Sequence, residues 1–208
     1  MRLLPDSLVF MSGFFALLTG SFPQAILFVS LLESIVGYHL LRKGTAFLDI
    51  DFLKAAEKAG SSDCRTGFRT TTPNDISLFK ASEERTAFPS APLYIVAVAA
   101  AYFFGSLNSQ MKELEALGSS YSARFYISVI SLSFLLFIIG ASRMATKCDT
   151  AAVAILSIVT GVTVGTFLIW QNQALLGPDS TNLLGIPLLA NRTASGESIY
   201  VCSKNPTA

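Results

Sequence analysis

Glu33 stands in the run "LFVSLLESIVGYHLL" and is the only acid inside a segment apolar enough to enter a membrane. A carboxylate in hydrocarbon is costly, so such a residue binds a cation, relays a proton or pairs with another helix. The plainer alternative is a residue near the end of a tilted span that snorkels or bonds a serine. By helix rise Glu33 lies about 12 Å from Leu41, which is not an obviously terminal position. His39, the only histidine, sits near Arg42 and Lys43 and reads as interfacial rather than catalytic. "FLDID" places Asp49 and Asp51 close together, but no third ligand accompanies them, and helix capping accounts for Asp51. A single histidine without a nucleophile motif gives no triad logic. No phosphate-cradling glycine loop occurs. The three cysteines, Cys64, Cys148 and Cys202, form neither a disulfide framework nor a zinc motif. The expectation is a protein that is not an enzyme, with no catalytic residues, no metal and no cofactor.

The elements that must hold Glu33 follow from composition. Hydrophobic residues make up 51% of the 208 and charged residues 14%, with a mean hydropathy of +0.54. Soluble domains carry about 25% charged residues, so a membrane protein is the default. Net charge is +1 without a basic block, which argues against nucleic acid as a partner.

A hydrocarbon core about 30 Å thick takes about 20 apolar residues in a helix. Four regions compete. The first, 7–41 within a membrane region 1–41, is interrupted by "TGSFPQ" at 19–24, where Gly20 and Pro23 are breaker signals. It is either one long kinked helix or a re-entrant half-helix over 8–18 that leads into a full span over 25–41. Arg2 followed by 8–18 resembles a signal peptide; the segment is read here as membrane-embedded. The other spans are 91–107, opened by Pro92, then 125–141, then 151–170, which has no charge. Tyr94, Tyr126 and Trp170 lie near span ends, as interfacial aromatics do. The expected fold is an all-α membrane protein, a compact bundle of about four transmembrane helices with a small β-like C-terminal tail.

The remaining segments are a polar loop 42–90, short loops 108–124 and 142–150, and an extramembrane tail 171–208. Loop 42–90 carries eight Lys and Arg, and 142–150 adds two, against five on the opposite side. The positive-inside rule puts both loops in the cytoplasm and the tail across the membrane. If the first region is a hairpin, only the N-terminus changes side. Asn191-Arg192-Thr193 is a possible glycosylation acceptor on that far side. Cytoplasmic loops are reducing, so Cys64 and Cys148 are expected as thiols. Within 42–90, "DFLKAAEKAG" and "NDISLFKASEER" read as short helices. In the tail, 188–192 and 198–202 flank the turn "TASGE" as two short strands.

Packing is marked more clearly than chemistry. Ser157, Gly161 and Gly165 recur every four residues in the last span, with Ala154 one turn before them. Such a narrow face lets another backbone approach closely. Ala97, Ala101 and Gly105 repeat the pattern in the second span, and Ser30, Ser34 and Gly37 in the first. Packing within the chain is the favoured reading.

Three phrases carry a resemblance: "NLLGIPLLANRTASGESIYVC" at 182–202 after a charge-free span, "CRTGF" at 64–68 and "ESIVGYHLL" at 33–41. The chain resembles small multi-span virion membrane proteins, associated with minor capsid proteins, of large icosahedral DNA viruses such as those infecting algae. That resemblance implies a structural viral protein in the host-derived internal membrane, linking it to capsid proteins. Its partners would be the lipid bilayer and neighbouring capsid or other membrane proteins. Two other expectations stand beside it: an accessory subunit of a cellular membrane complex, and a small transporter or channel using Glu33.

Overall fold

A computed structural model of the chain describes residues 3–48, 64, 77–79, 88–111 and 119–183. In order, its elements are α1 (Leu4–Thr19), α2 (Phe22–Leu48), α3 (Ala91–Ser109), α4 (Ser119–Ala145), α5 (Ala151–Leu176) and a closing 3-10 turn, Pro178–Thr181. Helices α2 to α5 are each long and apolar enough to cross a membrane. The fold is a mostly helical bundle, and no strand occurs among the described residues.

The break at 19–24 is a turn between two helices. Gly20 adopts a left-handed φ of 59° and its N–H reaches the Ala16 carbonyl at 3.1 Å. A glycine enters that region without a Cβ penalty. Pro23 then falls in the first turn of α2, where a missing N–H leaves no bond unmade. The two helices fold back on one another, with Gly13 packed on the ring of Phe28. By helix rise α1 is about 24 Å long, shorter than a hydrocarbon core of about 30 Å. Asp6, near its start, bonds to Ser77 and Leu78, so the start of α1 lies on the side of loop 42–90.

Helix α3 is the centre of the bundle. Leu93, Tyr94, Ile95, Ala97, Val98 and Tyr102 are fully buried. A helix that is apolar all round belongs in an interior. Helix α5 runs parallel to it: Tyr94 meets Gly161, Val98 meets Gly165, and Gly105 meets Ile169. Helix α4 returns in the opposite direction, with Phe125 near its start against Phe104 near the end of α3. It packs loosely, leaving an apolar cleft of about 700 Å³ lined in part by Ala101, Phe104, Phe137 and Val162.

The α3–α5 contact is backbone against backbone. A Cβ on Gly161 would lie 2.6 Å from the Tyr94 carbonyl oxygen and 2.7 Å from the Ala97 Cβ. One on Gly165 would lie 2.5 Å from the Val98 carbonyl oxygen. No side chain fits there without separating the helices.

The expectation of free thiols at Cys64 and Cys148 is corrected. Cys64 and Cys148 are joined by a disulfide, with their Cα atoms 5.4 Å apart. That separation is within the range a disulfide spans. The turn after α4 brings Cys148 to Cys64, and both residues are buried. Element ends also shift from those expected. Helix α5 continues past Trp170 to Leu176 and stops at Gly177, with φ 84°, and Pro178. Helices end at backbone signals, whereas apolar windows end at the first polar residues. The strands expected in the tail, Asn191, the acids Asp49 and Asp51, and nearly all of both short helices in 42–90 fall outside the described residues. Within that loop, Leu78 and Phe79 form a turn.

The contrast between two glycines tests this architecture. Gly165→Ala is expected to destabilise the bundle by about 1–3 kcal/mol through overpacking. Gly44→Ala, with nothing within 4 Å of its added Cβ, is expected to be neutral or to stabilise by up to about 1 kcal/mol. Thermal unfolding in detergent reads both. Equal effects would show that the α3–α5 contact does not limit stability.

Candidate functional site

Backbone groups inside a bilayer are satisfied by the helices themselves, so polar side chains there need partners of their own. The structure gathers them in two layers. The deeper layer joins α2, α3 and α5. Asn172 on α5 donates through Nδ2 to Ser30 Oγ at 2.7 Å and to the Tyr102 hydroxyl at 2.9 Å. All three side chains are buried. Beside them Gln171 Nε2 donates to Glu33 Oε2 at 3.5 Å, the long limit of a hydrogen bond.

Glu33 itself is exposed on the outside of the bundle. By helix rise it lies about 16 Å from Phe22 and about 14 Å from Arg42, close to the middle of a span about 30 Å thick. Val29, Leu32, Val36 and Leu40 are exposed around it. Among the described residues its carboxylate, on an apolar outer helix face, is held by one neutral amide.

Below this layer the closing turn folds onto the end of the bundle. Ser106 Oγ donates to the Thr181 carbonyl, and Gln173 Nε2 donates to Thr181 Oγ1 at 3.1 Å. Ser180 Oγ donates to the Gly177 carbonyl at 2.6 Å. Ser180 and Thr181 are buried as a result.

The second layer closes the loop end. The Arg143 guanidinium grips the Asp149 carboxylate with two nitrogens, Nε on Oδ2 and Nη2 on Oδ1. Such two-point pairs fix geometry as well as charge. Ser90, just before α3, donates from Oγ to Asp149 Oδ2 at 2.6 Å and from its N–H to Ser157 Oγ at 2.8 Å. Asp6 accepts from Leu78 N–H at 2.8 Å and from Ser77 Oγ at 2.9 Å, and is almost fully buried. His39 Nε2 lies 3.0 Å from the Leu78 carbonyl. Phe79 follows into the core against the ring of Tyr38. Residues 77–79 are thereby pinned from both arms of the α1–α2 hairpin.

Gly161 and Gly165 of α5 pack against Tyr94, Ala97, Val98 and Ala101 of α3, while Gly105 meets Ile169. Ala154 is buried in the core, and Ser157 serves as acceptor to Ser90. Ser34 offers its carbonyl to the Tyr94 hydroxyl at 3.0 Å, and Gly37 lies against that same hydroxyl. Sequence reasoning missed Asn172, Gln171, Asp6 and the Arg143–Asp149 pair. The signal for the first two is the polar triplet "QNQ" after Trp170, which resembles the start of a tail because it follows an apolar window. Among the described residues no three His, Cys, Asp or Glu side chains converge.

The fold is a helical bundle with four helices long and apolar enough to cross a membrane. No family model, no curated protein and no solved structure matches the chain.

The deeper layer makes a stability forecast. In membranes one interhelical hydrogen bond is worth about 0.6 kcal/mol on average and at most about 2. Asn172→Leu removes the donor shared by Ser30 and Tyr102, and is expected to cost about 1 kcal/mol. Unfolding in mixed micelles measures it. An unchanged or raised stability would show that the layer is a consequence of packing and not a support for it.

Proposed function

We propose that this chain is a structural membrane subunit of a large assembly. The observation that carries the reading is the contrast between its inside and its outside. The centre is filled by Tyr38, Leu93, Tyr94, Ile95, Val98 and Tyr102. The loop end is tied by a disulfide and a buried ion pair. Such a bundle holds one shape. Its outer face, by contrast, presents a mid-depth carboxylate, and α4 shows Ile127, Ile130, Phe134 and Phe137 to the surroundings.

The resemblance of 33–41, 64–68 and 182–202 to virion membrane proteins suggests which assembly. On that reading the chain lies in the internal membrane of a large icosahedral DNA virus and links it to capsid proteins. Purified particles should contain the chain in fixed stoichiometry with capsid proteins. Recovery solely as a free protein from host membrane would remove the proposal, and stable partners of another kind would favour an accessory subunit of a cellular complex. A transporter using Glu33 is the third reading. The mid-depth place of Glu33 favours it and the filled centre opposes it. Flux that survives Glu33→Gln in reconstituted vesicles would dismiss it.

Orientation brings two physical signals into opposition. The Lys and Arg count places loops 42–90 and 142–150 on the cytoplasmic side. A disulfide between those loops persists in an oxidising environment. A virion reconciles them: the loop face is made in the cytoplasm and oxidised after the particle leaves it. Maleimide labelling should therefore find Cys64 and Cys148 reduced in newly made protein and unreactive in mature particles. A bond already complete at synthesis would reverse the orientation and place the loops in the lumen.

A further inference from the structure

We infer that the α2 face centred on Glu33 docks a transmembrane helix of a partner protein that carries a lysine or arginine at mid-depth. The inference rests on the reading of this chain as a subunit of an assembly. It begins with exposure. Ionisable residues within a membrane nearly always turn toward a bundle interior or a water-filled cavity. Glu33 instead points outward, among Val29, Leu32, Val36 and Leu40. These residues form one stripe along α2, about 16 Å long by helix rise. A second helix crossing that stripe would cover the carboxylate.

Among the described residues no cationic group compensates the charge. Gln171 is a neutral donor at 3.5 Å and touches Oε2 alone. Behind it, the Asn172 amide nitrogen is already committed to Ser30 and Tyr102. Oε1 is left to accept from an incoming group. The stripe around it is apolar, as a lipid-facing or helix-facing surface should be, so the requirement is local: one cationic donor at one depth.

Charge complementarity selects the occupant. A second copy related by a two-fold axis would bring two Glu33 carboxylates toward each other. Like charges at close range disfavour double ionisation. A lysine or arginine on a partner helix neutralises the carboxylate and supplies the donor that Gln171 delivers poorly. Gln171 then acts as the positioning residue that holds Oε2 while Oε1 takes the new bond.

The test uses the full chain, labelled with a donor fluorophore, in phosphatidylcholine vesicles. The probes are acceptor-labelled Leu-Ala host helices of bilayer-spanning length, one with a central lysine and one with a central leucine. Energy transfer is expected to show at least about tenfold tighter association of the lysine helix, equivalent to about 1.4 kcal/mol. Glu33→Gln should abolish that difference while keeping the Cys64–Cys148 bond and the thermal stability of the parent. Val36→Trp, which obstructs the same face without altering the charge, should also weaken binding of the lysine helix. Equal association of the two helices would overturn the inference. So would Glu33-dependent transfer between two labelled copies of the chain that exceeds transfer to the lysine helix, since the face would then belong to a second copy. Failure here while native particles still hold the chain in fixed stoichiometry would remove this surface alone. Loss of that stoichiometry would remove the assembly reading itself.

Discussion

The contact of α3 with α5 at Gly161 and Gly165 is the constraint on which the rest of the bundle depends. There the carbonyls of Tyr94 and Val98 approach the bare α-carbons of the facing helix. Lipid tails are as apolar as leucine, so burial does not drive helices together in a bilayer as it does in water. Close packing and interhelical hydrogen bonds must do it instead. Two helices that touch along their backbones gain more dispersion contact than two held apart by side chains. The same approach sets the register that puts Ser157 under the Ser90 N–H at one level and Asn172 beside Tyr102 at another.

Around this pair the other elements are graded by how firmly they are held. Helix α2 is fixed by hydrogen bonds at two depths, through Ser30 and through the Ser34 carbonyl. Helix α1 is held by its hairpin with α2 and by Asp6. Helix α4 is held firmly at its end, where Arg143 meets Asp149, and by few contacts along its length. The gradient matters for function. The described core around α3 is closely packed, while the outward faces of α2 and α4 carry an exposed carboxylate and exposed apolar side chains. Glu33 is the sharpest of these, because a charge at mid-depth is far less tolerable than an exposed isoleucine.

Much of this fold was legible in the sequence. Apolar length alone located four spans, since about 20 residues must cross about 30 Å. Gly20 and Pro23 marked the break, but left open whether the chain bent or reversed; the left-handed Gly20 reversed it. The four-residue spacing of Ser157, Gly161 and Gly165 identified a narrow face, and Glu33 was conspicuous by its type. The Cys64–Cys148 pair was not legible, because its members are 84 residues apart and carry no spacing motif. Asn172 was not legible because a polar residue just past an apolar window looks like the start of a loop until the helix is seen to continue.

What the sequence determined by itself was therefore local: which segments are helical, where they break, and which residues are small or charged. These depend on neighbours within a few turns. The tertiary structure decided which face of each helix turns inward, and hence that Asn172 is buried while Glu33 is exposed. The physical reason is that a membrane helix has apolar surroundings on every side. In water, polarity separates an inner face from an outer one. In a bilayer, lipid and core look alike to a side chain, so the inward face is chosen by shape and hydrogen-bond partners that lie on other helices.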